Sequence, residues 1–235
     1  MENLLSQLSK LTDLFKSKNT SVVGIDIGSS FIKIVQLKKK GGRAVLETYG
    51  ELALGPYANL INGQMTNLPA DKLSEAITDI FKESNISTRD AAISIPFASS
   101  LVSLIELPKS SEGQLDAVVP IEARKYIPVP IGEVSIDWWM IPRQEEYVTD
   151  EGEKVNVQDS KNEKIDVLVA AIHNEVINKY QDVSKRNNLQ NVFFEIEMFS
   201  TIRSTFGRDM KLVMVLDMGA GTTKLSIVEQ GVVKS

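Results

Sequence analysis

Cysteine is absent from this 235-residue sequence, histidine occurs once, and no apolar run approaches the length of a membrane span. The lack of cysteine removes both a disulfide framework and a thiolate metal site, and is compatible with a reducing compartment. Apolar runs this short do not cross a bilayer as helices, and the N-terminus has no signal-peptide core, so a soluble protein is expected. The one histidine, His173, ends an apolar strand-like run and reads as a helix-start or packing residue, which leaves no identifiable general base. Positive charge is also scarce. Lysine and arginine number 26 against 31 acidic residues, a formal net charge of −5. Lys38–Lys40 is a short run that reads as the solvated end of a hairpin. Non-specific nucleic-acid binding needs a concentrated positive field and is therefore not expected. What is present, 43% hydrophobic and 24% charged residues, suffices for one large or two modest domains with real cores.

Two distant stretches match each other without a gap. Val22–Gln36 reads VVGIDIGSSFIKIVQ and Val213–Ile227 reads VMVLDMGAGTTKLSI. Asp26 falls on Asp217, Gly28 on Gly219, Ser30 on Gly221 and Lys33 on Lys224. Each copy is an apolar run, an Asp, a turn of small residues and an alternating return run, the pattern of a β-hairpin. Successive turn amides can cradle phosphate oxygens, and a carboxylate at a strand end can hold hydrated Mg²⁺. Ser29, Ser30, Thr222 and Thr223 add hydroxyl donors. A single such turn is commonly a plain hairpin. Repetition of Asp, Gly and Lys in register predicts instead a nucleotide clamp with one jaw per hairpin.

Along the chain, residues 1–20 form a separate element. Leu4, Leu5, Leu8, Leu11 and Phe15 recur at helical spacing, which predicts an amphipathic helix packing on the chain itself or on a partner, then a short polar linker. The first hairpin turns at Gly41–Gly42 into a third strand over Ala44–Leu52. A helix follows over Leu68–Asn85 and a strand over Arg89–Pro96. A strand over Leu101–Leu107, a helix over Ser110–Tyr126 that Pro120 must kink or restart, and the rigid IPVPI turn at Ile127–Ile131 come next. Val134–Ile141 is a strand whose neighbours Trp138 and Trp139 must face opposite sides. Gln144–Lys164 is polar and reads as an exposed loop. Ile165–Ile172 is a buried-type strand and Asn174–Asn188 a helix. Val192–Glu197 is a strand, Met198–Phe206 starts a helix, and the second hairpin ends the chain.

The paired hairpins resemble the phosphate-1 and phosphate-2 motifs of the actin, hexokinase and Hsp70-type ATPases. Within that superfamily, EARKYIPVPIGEVSIDW at Glu122–Trp138, the strand and helix of Val167–Leu189, and FEIEMF at Phe194–Phe199 resemble the PilM family of type IV pilus assembly proteins, which is similar to the cell-division protein FtsA. The resemblance runs from Ser21 onward. It implies an α/β, actin-like (ribonuclease H-like) ATPase fold carrying an inserted α+β subdomain of SHS2 type. The expected division is 1–20 for the N-terminal helix and linker, 21–96 for the subdomain with the first hairpin, 97–190 for the insertion, and 191–235 for the return to the core with the second hairpin. Family members are typically longer, so the second half of the clamp, with its adenosine-binding motif, is expected to be incomplete here and nucleotide affinity poor.

Carried over by position, the resemblance implies that Asp26, Gly28, Ser29, Ser30 and Lys33 serve the β- and γ-phosphates and Mg²⁺. Asp217, Gly219, Gly221, Thr222 and Thr223 close the other side, with Asp26 and Asp217 as the metal-holding carboxylates. Lys224 has no such role and reads as a solvated strand residue, while Glu195 reads as structural. The implied function is a cytoplasmic scaffold at the inner-membrane face. It binds ATP and Mg²⁺ and docks the N-terminal tail of a PilN-type inner-membrane protein in a groove between the insertion and its neighbour, touching the membrane only through partners. A turning-over ATPase, a sugar-kinase-like phosphotransferase and an FtsA-like filament former tied to a membrane by the N-terminal helix are the competing readings. For a sugar kinase no catalytic Asp is evident beside an acceptor site.

Overall fold

A computed structural model describes residues 21–141, 146–148, 154–156, 164–206, 212–229 and 231–234. The helix expected over residues 1–20 and part of the polar stretch 144–164 lie outside these residues. The chain opens with three antiparallel strands, β1 (Ser21–Ile27), β2 (Phe31–Lys40) and β3 (Arg43–Ala53). The β2–β3 turn needs two residues at positive φ, which Gly41 (56°) and Gly42 (78°) supply without a Cβ penalty. Helix α1 (Ala70–Glu83) and strand β4 (Asp90–Ile95) follow, and β4 returns parallel to β1.

The next stretch builds a second, wholly antiparallel sheet. Its strands are β5 (Ser100–Pro108), β6 (Val134–Ile141) and, after two short strands, β9 (Lys164–His173), in the order β5–β9–β6. Between β5 and β6, a 3-10 turn over Lys109–Gln114 precedes helix α2 (Leu115–Ala123). Pro120 lies inside α2 and does not restart it. Where a loop was expected, β7 (Glu146–Val148) and β8 (Lys154–Asn156) pair as an antiparallel ribbon. Helix α3 (Asn174–Arg186) follows β9 directly, with exposed His173 at its N-cap position and no side-chain cap bond. Strand β10 (Gln190–Ile196) pairs parallel to β4 and completes a five-stranded mixed sheet, β10–β4–β1–β2–β3. Helix α4 (Glu197–Thr205), the hairpin β11 (Leu212–Met218) and β12 (Thr223–Glu229), and the short β13 (Val232–Val233) finish the chain.

Packing follows the apolar periodicities. Val23, Ile25, Ile27, Ile32 and Ile34 of the first sheet meet Leu73, Ala76, Ile77, Ile80 and Phe81 of α1, and Tyr180 and Val183 bring α3 into the same core. Both helices stop in the same way. Asn85 and Asn188 adopt left-handed φ, and the next amides reach back, Ile86 to Phe81 (2.9 Å) and Leu189 to Ser184 (2.9 Å), satisfying carbonyls the helix leaves open. The second sheet is apolar on both faces. One face packs Val167, Val169, Ala171 and Ile105 against Leu115 and Val119 of α2. The other contributes Ala170, Ile172 and Val102 to a core with Met198 and Ile202 of α4 and Val228 of β12. Trp138 and Trp139 do face opposite sides, and both are half-buried. Trp138 packs on the α2 side, while Trp139 meets Phe199 of α4 edge to face, with ring centroids 5.1 Å apart.

A 3-10 turn over Gly55–Ala58 braces the first hairpin. Leu54, just before it, donates its amide to the Ser30 carbonyl (2.8 Å), and Leu60 closes back on Gly55 (2.8 Å). A Cβ at Gly55 would lie 2.3 Å from the Ile61 carbonyl oxygen, whereas one at Gly50 would meet mainly the Ser84 hydroxyl, at 2.0 Å. A side chain can rotate away; a backbone carbonyl held in a turn cannot. Gly55→Ala should therefore cost about 1–3 kcal/mol of overpacking strain, and Gly50→Ala distinctly less. Urea denaturation of the two variants checks the order.

Candidate functional site

The two matched stretches fold as matched hairpins. Asp26 lies opposite Lys33 in the β1–β2 register, and Asp217 lies opposite Lys224 in β11–β12. Each turn is closed by the same bond: Gly28 donates its amide to the Phe31 carbonyl (2.9 Å), and Gly219 donates to that of Thr222 (3.0 Å). Added Cβ atoms at these glycines would crowd the same carbonyls, at 3.0 and 3.1 Å. The turns also approach each other, since a Cβ on Gly221 would lie 3.2 Å from the Ser29 hydroxyl and 2.7 Å from the Met65 sulfur. A side chain at this position would have to displace the exposed Met65 side chain.

Between the hairpins lies a cleft of about 410 Å³, with Asp26 and Ser94 on one side, Asp217 and Lys224 on the other, and Ser200, Thr201 and Ser204 of α4 along its floor. Gly28, Ser29, Ser30, Gly219, Gly221, Thr222 and Thr223 lie in or beside the two turns, but of the residues predicted from the sequence only Asp26 and Asp217 line the cleft itself. Lys33 is exposed. The first turn is firmly held. Ser30 is buried, and the Ser29 carbonyl accepts from both the amide (2.7 Å) and the hydroxyl (2.9 Å) of Thr66. Residues 217–223 of the second hairpin are all exposed.

The two aspartates sit in different surroundings. Half-buried Asp26 accepts a 2.5 Å hydrogen bond from Ser94, its register partner on β4. Asp217, with a side chain 52% exposed, is ion-paired to Lys224 at 3.1 Å. Lys224 is thus not the solvated strand residue that the sequence suggested. Its side chain is 20% exposed, and its ammonium also donates to Glu197, whose same oxygen accepts the Phe97 amide at 2.7 Å. Burial pulls the Lys224 pKa down, but the hydrogen bonds to Glu197 and Asp217 outweigh it and raise the value above 10.5. Glu195, two residues before Glu197, is clasped by both guanidinium nitrogens of Arg203 and by Ser200 (2.8 Å), which fits its structural reading.

Ser94 and Glu197 were missed in the sequence because neither lies in a repeated motif. The usable signal for Glu197 was an acid in the first turn of a helix that directly follows a core strand. As for metal chemistry, the donors at Asp26 suit hydrated Mg²⁺, which takes one or two carboxylates and completes its shell with water and phosphate. Among the described residues no group of three or more His, Asp or Glu gathers to hold a metal without such help. Also among them, no helix is long and apolar enough to cross a membrane.

A raised pKa means that Lys224 stabilises the fold fully below 10.5 and ceases to do so as pH climbs through its folded value. Lys224→Met should lower stability at neutral pH and flatten this part of the alkaline decline. Urea midpoints at about pH 8 and about pH 11.5 would show the difference between variant and parent shrinking.

A profile of the family described as type IV pilus assembly protein PilM matches residues 24–233. Among solved structures, the PilM–PilN type IV pilus biogenesis complex aligns at 22% identity with a TM-score of 0.68, over 91% of this chain and 60% of that one. The cytoplasmic domain of EpsL, an inner-membrane component of the Vibrio cholerae type II secretion system, aligns at 12% identity with a TM-score of 0.51, over 89% and 71%. The chain thus spans about 60% of the length of the PilM–PilN structure's matching chain. Mixed sheet, paired hairpins and neighbours together define an actin-like α/β ATPase fold, and the chain belongs to the family of type IV pilus assembly proteins PilM.

Proposed function

We propose that this chain is a scaffold of the type IV pilus assembly machinery, working at the cytoplasmic face of the inner membrane. In this reading it holds ATP between its two hairpins and docks the N-terminal tail of a PilN-type membrane protein. The observation that carries the nucleotide part is the cleft bounded by two hairpins of identical Asp–Lys register. The partner is suggested by the PilM–PilN complex, whose chain shares this fold.

Each residue then has a bounded task. The Gly28 and Gly219 amides are committed to closing their turns, so phosphate oxygens fall to the amides and hydroxyls around Ser29, Ser30, Gly221, Thr222 and Thr223. Asp26, oriented by Ser94, holds the hydrated Mg²⁺, which when bound neutralises phosphate charge. Lys33 supplies cationic charge from β2, opposite Asp26. The brace from Leu54 and Thr66 keeps the first turn shaped before ligand arrives, which lowers the ordering cost of binding. The tail peptide lies in the groove between the β5–β9–β6 sheet and its neighbour.

Calorimetric titration tests both halves. Mg-ATP should bind the parent, and Asp26→Ala should weaken it by about tenfold or more, as expected when a charge-bearing ligand contact is removed. A PilN-type N-terminal peptide should bind parent and variant alike. Peptide binding without nucleotide binding would leave the scaffold reading standing and remove the clamp.

A further inference from the structure

The stretch between β3 and α1 is anchored at both ends by buried leucines, Leu54 and Leu68, but its middle is not. Leu60, Ile61 and Met65 are all exposed, with Met65 at 62%. A turn at Asn62–Gly63 reverses the chain: Gly63 takes a φ of 86°, and Gln64 donates its amide to the Ile61 carbonyl (3.3 Å). Thr66 then fastens the returning chain to the first hairpin through its two bonds to the Ser29 carbonyl. Met65 is thus carried to the junction of the two hairpin turns by its neighbours, not by burial of its own side chain. A Cβ built on Gly221 marks the space it takes, since that point lies 2.7 Å from the Met65 sulfur and 3.2 Å from the Ser29 hydroxyl.

That space is where a phosphate oxygen shared by the two turns belongs. The Ser29 hydroxyl is a donor within reach of it, and exposed Gly221 borders it from the other turn. The sulfur is the misfit. Non-bonded heavy atoms settle about 3.5–4.0 Å apart, and a thioether accepts hydrogen bonds but donates none, so at this spacing it excludes a phosphate oxygen. Resting on the nucleotide reading, we infer that Met65 is an autoinhibitory stopper of the phosphate site, filling the gap between the turns in the free protein and rotating into solvent when a polyphosphate enters. The motion is confined to one side chain. Methionine is unbranched with three rotatable bonds, Met65 already faces solvent, and the bonds from Thr66 to Ser29 need not break. While the sulfur occupies the gap, phosphate cannot bridge the turns. The apparent association constant is therefore scaled down by the fraction of molecules in which Met65 is turned out.

The alternative is that Met65 merely spaces the hairpins, and a size series separates the two. As a stopper, Met65→Ala should tighten Mg-ATP binding by about three- to tenfold, and Met65→Phe, bulkier and stiffer, should weaken it. As a spacer, Met65→Ala should lose affinity. Calorimetric titrations of the parent and both variants read the order, and melting curves on the same samples show that each is folded. In the parent, the methyl NMR resonance that Met65→Ala removes should move when Mg-ATP is added. Unchanged or lower affinity in Met65→Ala, with a parent that binds, overturns the inference and leaves the clamp intact. Binding by Met65→Ala but not by the parent supports the stopper in its strongest form. Absence of ATP binding in both removes the clamp itself, and the inference with it.

Discussion

Strand β4 is the constraint on which the arrangement depends. It is paired in parallel to β1 on one side and β10 on the other, and the register sets Asp26, Ser94 and Glu195 level across three strands. Parallel strands end together at one edge of a sheet, and ligand sites of open α/β sheets gather outside those carboxyl ends. Everything at the cleft follows from that edge. Asp26 is oriented by its neighbour Ser94, β10 delivers Glu197 into the first turn of α4, and Glu197 then fixes the ammonium of Lys224. Without the parallel crossings through α1 and α3, the two hairpins would have no common floor.

The hairpins share a sequence pattern, a register and a turn bond, yet differ in support. The first lies inside a five-stranded sheet against a core of α1 and α3 and is braced from outside by Leu54 and Thr66. The second belongs to a three-stranded sheet with Val228 and Val233 buried but Leu212, Met214, Leu216, Met218 and Leu225 exposed. The same Asp–Lys register thus sits on one jaw seated in a core and on another whose turn is exposed. The ion pairs of Lys224 tie this second jaw to α4, beside the hydrogen bond that the Ser226 hydroxyl donates to the Met198 sulfur (2.9 Å) and the core around Val228.

Most of the fold was legible because its signals are local and periodic. The alternation of β1 and β2, the apolar stripe of α1 and the β6 span Val134–Ile141 each follow from spacing within one segment. Expectations faltered where an outcome is decided by distant groups. Lys224 reads as solvated from its own strand, and only Glu197, 27 positions away, turns it inward. The β7–β8 ribbon emerges from a largely polar stretch whose period-2 signal spans only three residues a side, with Tyr147 opposite Val155 in its register. Pro120 was expected to kink or restart its helix; α2 runs through it without a restart, and burial of Leu115, Val119 and Ala123 against the second sheet outweighs one missing backbone bond. The repeated Asp, Gly and Lys announced two equivalent turns; their unequal surroundings could come only from the folded chain.

Helix α4 joins the two surfaces that the sequence could only treat separately. Its first residue, Glu197, holds Lys224 at the cleft, and Phe199, two residues on, meets Trp139 from the far side of the second sheet. Ser200, Thr201 and Ser204 line the cleft, while Met198 and Ile202 sit in the core shared with Ala170 of β9. Within its nine residues α4 therefore carries both the acid that holds the cleft's ammonium and the apolar side chains that seat the second sheet. Close packing leaves little room to change one set of contacts without the other, because interiors this dense pass strain to their neighbours. The second sheet and the cleft share one supporting element, and α4 is that element.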